Sequence, residues 1–122
     1  MDFAVNNTGT IINISSINSD QRKFRHTPYG ISKFALSNYT AQKAQEYKGT
    51  KVTINALQPG GVATNMPNVN VTLGRDIAGR KTNMLGRASL PEEMAAIIAF
   101  LCSPAGKNIT GQVITASACE EF

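Results

Sequence analysis

Tyr29 and Lys33 stand four residues apart in a stretch of helical spacing, so their side chains share one face and can act on a common point. A phenol of ordinary pKa ~10 keeps its proton at neutral pH and can donate it, and a neighbouring ammonium favours the phenolate left behind. The spacing alone selects nothing, because Tyr39 with Lys43 and Tyr47 with Lys51 repeat it. Context separates the three pairs. Thirteen residues before Tyr29 lies Ser16, the second of two serines that close a β-branched run. The same offset from Tyr39 and Tyr47 finds His26 and Phe34.

Such a set needs elements to position it, and the hydrophobic period switches repeatedly between short β-branched runs and helical spacing, the pattern of crossover units in a parallel sheet. Thr10–Ser15 is the first predicted strand. Thr27 and Pro28 cap and start a helix that runs to about Tyr47 and stops at Gly49. Lys51–Leu57 is the second strand, which Pro59-Gly60-Gly61 is expected to end because proline cannot donate to a ladder. The same three residues suit close backbone approach to a ligand. Residues 62–88 have no single period and are punctuated by Gly74, Gly79 and Gly86, so they read as a mobile insert with short helical pieces, of a kind that is often functional. Ser89-Leu-Pro-Glu92 has the form of a capping box. Leu90, Met94, Ile97, Ile98 and Leu101 then share a helical face that should pack on the sheet. Gln112–Ala116 is the last strand, and Ser117–Phe122 shows no interpretable pattern. Ligands of open α/β sheets bind at the C-terminal strand ends, where Ser15 and Ser16 fall.

With 122 residues the chain can bury one modest core, so one domain or part of one is expected. A hydrophobic share of 42% with ten Gly and five Pro fits a soluble globular α/β chain and excludes disorder or a fibre. The net charge of +4 comes from scattered residues apart from Arg22-Lys23-Phe24-Arg25-His26, which fits a solvated surface and gives no reason to expect a nucleic-acid partner. Two cysteines, Cys102 and Cys119, form neither a disulfide framework nor a metal-ligand set, so no metal is expected. No leader pattern opens the sequence and no run approaches the ~20 apolar residues of a membrane span, so a cytoplasmic location without membrane contact is expected.

Taken together, the motifs resemble the second half of the short-chain dehydrogenase/reductase family. That half reads Gly-x-Ile-Val-Asn-Ile-Ser-Ser, then Tyr-x-x-x-Lys, then Asn-x-x-x-Pro-Gly-x-x-x-Thr. Here these stand as Gly9 to Ser16, Tyr29-Gly-Ile-Ser-Lys33 and Asn55-Ala-Leu-Gln-Pro59-Gly60-Gly-Val-Ala-Thr64. The likeness continues through Pro91–Ala95, Phe100–Ser103 and Ile109–Gln112, and it is to members similar to 3-oxoacyl-(acyl-carrier-protein) reductase. The resemblance implies an α/β fold: a partial Rossmann-like, doubly wound parallel sheet comprising the last three strands and their crossover helices. Residues 1–122 would be a single partial domain with the N-terminal half missing. It further implies hydride transfer between NAD or NADP and a small carbonyl compound or secondary alcohol. Tyr29 would be the acid/base, Ser16 the hydrogen-bond partner of the substrate oxygen, and Lys33 the group that tunes Tyr29 and holds the nicotinamide ribose. Pro59, Gly60 and Val62 would lie against the nicotinamide, with Val62 backbone groups reaching the carboxamide. The Thr64 hydroxyl would sit near the carboxamide or the pyrophosphate.

Two departures from the family pattern qualify this. Only eight residues precede Gly9, so the Gly-rich pyrophosphate turn, the residue that selects NAD from NADP and an active-site asparagine are all lacking, and only the nicotinamide end of the cofactor is expected to find its site. After the last strand, where the family continues Asp-Gly-Gly, the chain reads Ala116-Ser-Ala-Cys119-Glu-Glu-Phe122. A truncated non-catalytic pseudo-enzyme or interaction module is one alternative, and an epimerase or dehydratase of the same family is another. Substrate choice would rest on the Ser16–Tyr29 loop and the 62–88 insert, with Arg22, Lys23 and Arg25 leaning toward an anionic group. In the family the helix starting at Pro28 packs against a second subunit, and Ile31, Phe34, Ala35 and Leu36 are too wide a cluster for one buried face. Thr10–Ser15 would be an edge strand with no charge or proline to protect it. A homo-oligomer or a complementing N-terminal half is the expected partner.

Overall fold

A computed structural model describes residues 8–20, 27–63 and 83–120. The β-branched run forms strand β1, Thr8–Ile14, which pairs in parallel with β2, Lys51–Pro59, and β2 pairs in parallel with β3, Val113–Ala116. Helix α1, Thr27–Lys43, continues as a 3-10 turn over Ala44–Tyr47 before β2. Helix α2, Pro91–Cys102, and a 3-10 turn over Pro104–Asn108 precede β3. The sheet order β1-β2-β3, with helices in the crossovers, is the expected Rossmann-like α/β arrangement.

The core is centred on β2, because among the described strands only the middle one has neighbours on both sides, and every residue from Val52 to Gln58 is buried. Two asparagines hold crossovers to the sheet. Asn55 donates from Nδ2 to the Ile109 carbonyl at 2.9 Å and accepts the Gln112 N–H at 3.0 Å, which ties β2 to the turn feeding β3. Asn13 of β1 donates to Thr40 Oγ1 at 2.9 Å, and that hydroxyl donates to the Leu36 carbonyl at 2.8 Å, so α1 is clamped across β1.

Several boundaries differ from expectation for identifiable reasons. β1 begins at Thr8 and stops at Ile14, and β3 begins at Val113. Pro59 does not end β2 but pairs with Ala116. Backbone groups of odd-numbered β2 residues point toward β1, as when Leu57 O accepts the Ser15 N–H at 2.7 Å, while Gly60 N donates to Ala116 O on the β3 side at 3.3 Å. The N–H that proline lacks would therefore face a side from which β1 has already turned away. The helix cap also moves. Leu90, not Ser89, is the N-cap of α2, and Glu93 accepts the Leu90 N–H at 2.9 Å. Ser89 is committed elsewhere, bridging Val62 through Ser89 N to Gly61 O and Ala63 N to Ser89 O, both 2.9 Å. Of the predicted α2 face, Leu101 is buried and Met94, Ile97 and Ile98 half-buried, whereas the cap residue Leu90 is exposed. On α1, Ile31, Phe34 and Ala35 are exposed and Leu36 is half-buried.

Candidate active site

The candidate residues collect where β1 and β2 end. After Ser15 spends its N–H on β2, Ser16 stays extended and caps a 3-10 turn over Ile17–Ser19, its Oγ accepting the Asn18 N–H at 3.1 Å. Ser16 is buried, and its hydroxyl proton is given to no described residue. The first turn of α1 lies against this turn: a Cβ on Gly30 would come within 2.9 Å of the Asn18 carbonyl oxygen. Glycine at that position lets the helix start, and Tyr29 with it, approach the turn that Ser16 caps.

Lys33 enters the same corner. Its Nζ donates to Ile14 O at 3.0 Å and lies 5.6 Å from the Tyr29 ring centroid. The Ile14 carbonyl is open to it because even-numbered β1 residues point away from β2, so this oxygen has no ladder partner. One of the three ammonium donors is spent there, leaving two for a ligand. Tyr29 is 46% exposed, and its side chain faces solvent beside the strand end. The structure thus brings Ser16, Tyr29 and Lys33 to one end of the sheet. Ser15, read as an ordinary strand residue, is a supporting member: its hydroxyl donates to Lys33 O at 2.9 Å and accepts from Ser37 at 2.7 Å.

Pro59, Gly60 and Val62 leave β2 at the same end. Glycine is required at position 60, since a Cβ there would collide with the Glu120 carboxylate and sit 2.9 Å from the Ser117 Cβ. Gly61 N donates to Glu120 Oε2 at 2.5 Å. Thr64 lies outside the described residues, as do Arg22, Lys23, Arg25 and most of the 62–88 insert. The ends of that insert are pinned, by the Val62–Ser89 bridge and by Met84 N donating to Ala118 O at 2.8 Å.

The sequence reading missed the tail. Glu120 is buried against the Gly60-Gly61 loop, and Ala118 and Cys119 reach it through left-handed conformations, φ 51° and 56°. Each costs about 1–2 kcal/mol for a residue with a Cβ. The signal was present: the family places a glycine pair after its last strand, and this chain departs from it at the point where the backbone needs glycine. Away from the site, Arg87 pairs with Glu93 at 2.7 Å, and its guanidinium, then the Leu90 N–H, hold the Glu93 carboxyl below the usual carboxylate range. Glu46 beside Lys43, at 2.5 Å, raises that ammonium above the usual lysine range through its hydrogen bond and charge.

Comparison with known proteins decides the family. A family model described as enoyl-(acyl carrier protein) reductase matches residues 2–118. The chain belongs to the short-chain dehydrogenase/reductase family. It is 38% identical over 106 residues to a short-chain type dehydrogenase/reductase of Picea abies, covering 87% of this chain and 39% of that protein. It is 36% identical over 105 residues to an acetoacetyl-CoA reductase of Cupriavidus necator, covering 84% and 42%. A crystal structure of a 3-oxoacyl-(acyl-carrier protein) reductase with bound NAD from Brucella melitensis superposes with a TM-score of 0.81 at 25% identity, covering 98% of this chain and 44% of that one. The chain therefore spans about two fifths of the length of the curated relatives it matches.

Proposed function

We propose that this chain supplies the catalytic half of an oxidoreductase that interconverts a carbonyl compound and a secondary alcohol with NAD or NADP. The observation that carries the reading is Lys33 bridging the end of β1 and the Tyr29 ring beside the turn capped by Ser16. The residues present fit the nicotinamide end of the cofactor: two ammonium donors of Lys33 remain for ribose hydroxyls, and Pro59, Gly60 and Val62 line the same strand ends. When bound, the nicotinamide supplies or accepts the hydride. In the reducing direction Ser16 donates its free hydroxyl proton in a hydrogen bond to the substrate oxygen, which draws electron density from the carbonyl carbon. Tyr29 transfers its proton to that oxygen, so carbonyl, hydride and proton together give the alcohol. The Lys33 charge stabilises the phenolate that remains.

The reading includes a partner. The outer edge of β1 presents the N–H groups of Thr10, Ile12 and Ile14 without charge or proline, and α1 exposes Ile31 and Phe34. The N-terminal half typical of relatives would cover the first surface and a second subunit the other. The location consistent with this is cytoplasmic, and no described helix is long and apolar enough to cross a membrane.

The test is turnover by the chain completed with the N-terminal half of a curated relative. Ketone-dependent oxidation of NADH or NADPH is expected from the completed protein, and nicotinamide binding far weaker, or none, from the 122-residue chain alone. A completed, folded protein that binds cofactor yet reduces none of a broad panel of ketones would reject the reading.

A further inference from the structure

Gln58 closes the buried run of β2, immediately before Pro59, and is 1% exposed. Its amide spends every polar group on a different element. Nε2 donates to Ser37 Oγ of α1 at 3.0 Å and to Ser19 Oγ in the turn that Ser16 caps, and Oε1 accepts from Thr115 Oγ1 of β3 at 3.0 Å. The orientation follows from the neighbours. Ser37 gives its proton to Ser15 at 2.7 Å, and Ser19 gives its own to Asp20 Oδ1 at 3.2 Å, so both oxygens can only accept from Gln58. Ser15 in turn donates to Lys33 O at 2.9 Å. Donation therefore runs one way, from Thr115 through Gln58, Ser37 and Ser15 to the backbone of Lys33, with a branch to Ser19. Aligned chains of this kind reinforce one another in a dry interior, and a member without its partner is costly.

We infer that Gln58 is a positioning residue for the catalytic set: through one amide it fixes the turn carrying Ser16 relative to the helix carrying Tyr29 and Lys33. The inference rests on the proposed function for its catalytic meaning, but its geometric content can be tested without turnover.

The experiment is amide hydrogen exchange on the full 122-residue chain, read at Ser19 and Asp20, whose N–H groups donate to Ser16 O and Ile17 O and define the turn, both 3.0 Å. In Gln58→Leu these two amides should exchange about tenfold faster or more, the size of one lost net hydrogen bond, while Leu57 and Ala56 keep their protection. Ser19→Ala, which cuts the branch to the turn and with it the exposed bond to Asp20 but leaves the arm through Ser37 and Ser15 intact, should reproduce most of the effect, and Ser19→Thr, which keeps the hydroxyl, should restore it. In the completed protein Ser19→Ala should lower kcat with little change in cofactor KM. Unchanged exchange at Ser19 and Asp20, or an acceleration shared equally by β2, would overturn the inference. Altered exchange with an undiminished kcat would equally reject the positioning of the proposed catalytic set by Gln58. Absence of turnover in the unsubstituted completed protein would instead count against the proposed function, and the exchange result would still decide whether Gln58 sets the turn.

Discussion

Tyr29 with Lys33 and Tyr39 with Lys43 lie on one helix with one spacing, yet their surroundings assign them different work. Lys33 reaches back to a strand-end carbonyl that the ladder leaves open, close to a buried serine whose proton is given to no described residue. Lys43 turns to Glu46 in the following 3-10 turn, beside an open groove of about 340 Å³ that it shares with Tyr39. The first pair faces groups that a substrate oxygen could join, and the second has its cation already neutralised. A tyrosine and a lysine one turn apart acquire chemistry from the backbone they meet, not from their separation.

That contrast can be broken most severely at the cations. In the completed protein Lys33→Ala should cut turnover by roughly 10²–10⁴-fold, the range of a positioned acid–base contribution, whereas Lys43→Ala should leave it near the unsubstituted value. Steady-state kinetics on the two variants checks this, and equal losses would erase the distinction.

A smaller effect is expected where the helix meets the serine turn. Gly30→Ala places a methyl 2.9 Å from the Asn18 carbonyl oxygen, and forced displacement of this kind costs about 1–3 kcal/mol. Thermal unfolding should show that loss, and turnover should fall with it as Tyr29 is pushed from Ser16. Asn38→Ala, on the exposed stretch beside Tyr39, should change neither.

The smallest effect belongs to the second pair's own ionisation. Glu46 raises the Lys43 pKa, so that contribution is complete below the ordinary lysine value and is lost as pH rises through the higher folded value. Glu46→Gln should move the Lys43 midpoint down, followed by NMR titration of its side chain, without altering turnover. A midpoint that stays put would show that Glu46 is not its partner in solution.

The proposed catalytic corner was legible because its residues stand at fixed offsets from strand ends, and strand ends were visible in β-branched runs such as Ile11, Ile12 and Ile14. The supporting network was less so. Gln58 and Ser37 are ordinary polar letters whose convergence exists only once α1 is laid across β1 and β2. Ser89 was read as a cap because sequence offsets cannot show that its backbone is already committed to Val62. Pro59 was read as a stop because its missing N–H matters only on a side that has a neighbour, which the strand order alone reveals. Glu120 sat in a tail without periodicity, and its role depends on two left-handed residues, Ala118 and Cys119, that no period encodes.

The central claim, that Tyr29 and not another tyrosine delivers the proton, is tested most directly by measuring turnover and cofactor affinity of Tyr29→Phe and Tyr39→Phe side by side in the completed protein. Removing one hydroxyl that acts only on the substrate oxygen should lower kcat/KM by about 10²–10⁴-fold for Tyr29→Phe with cofactor binding nearly unchanged, and leave Tyr39→Phe near the unsubstituted rate. Equal kinetics for Tyr29→Phe and the unsubstituted protein, or an equal loss at Tyr39, would contradict it.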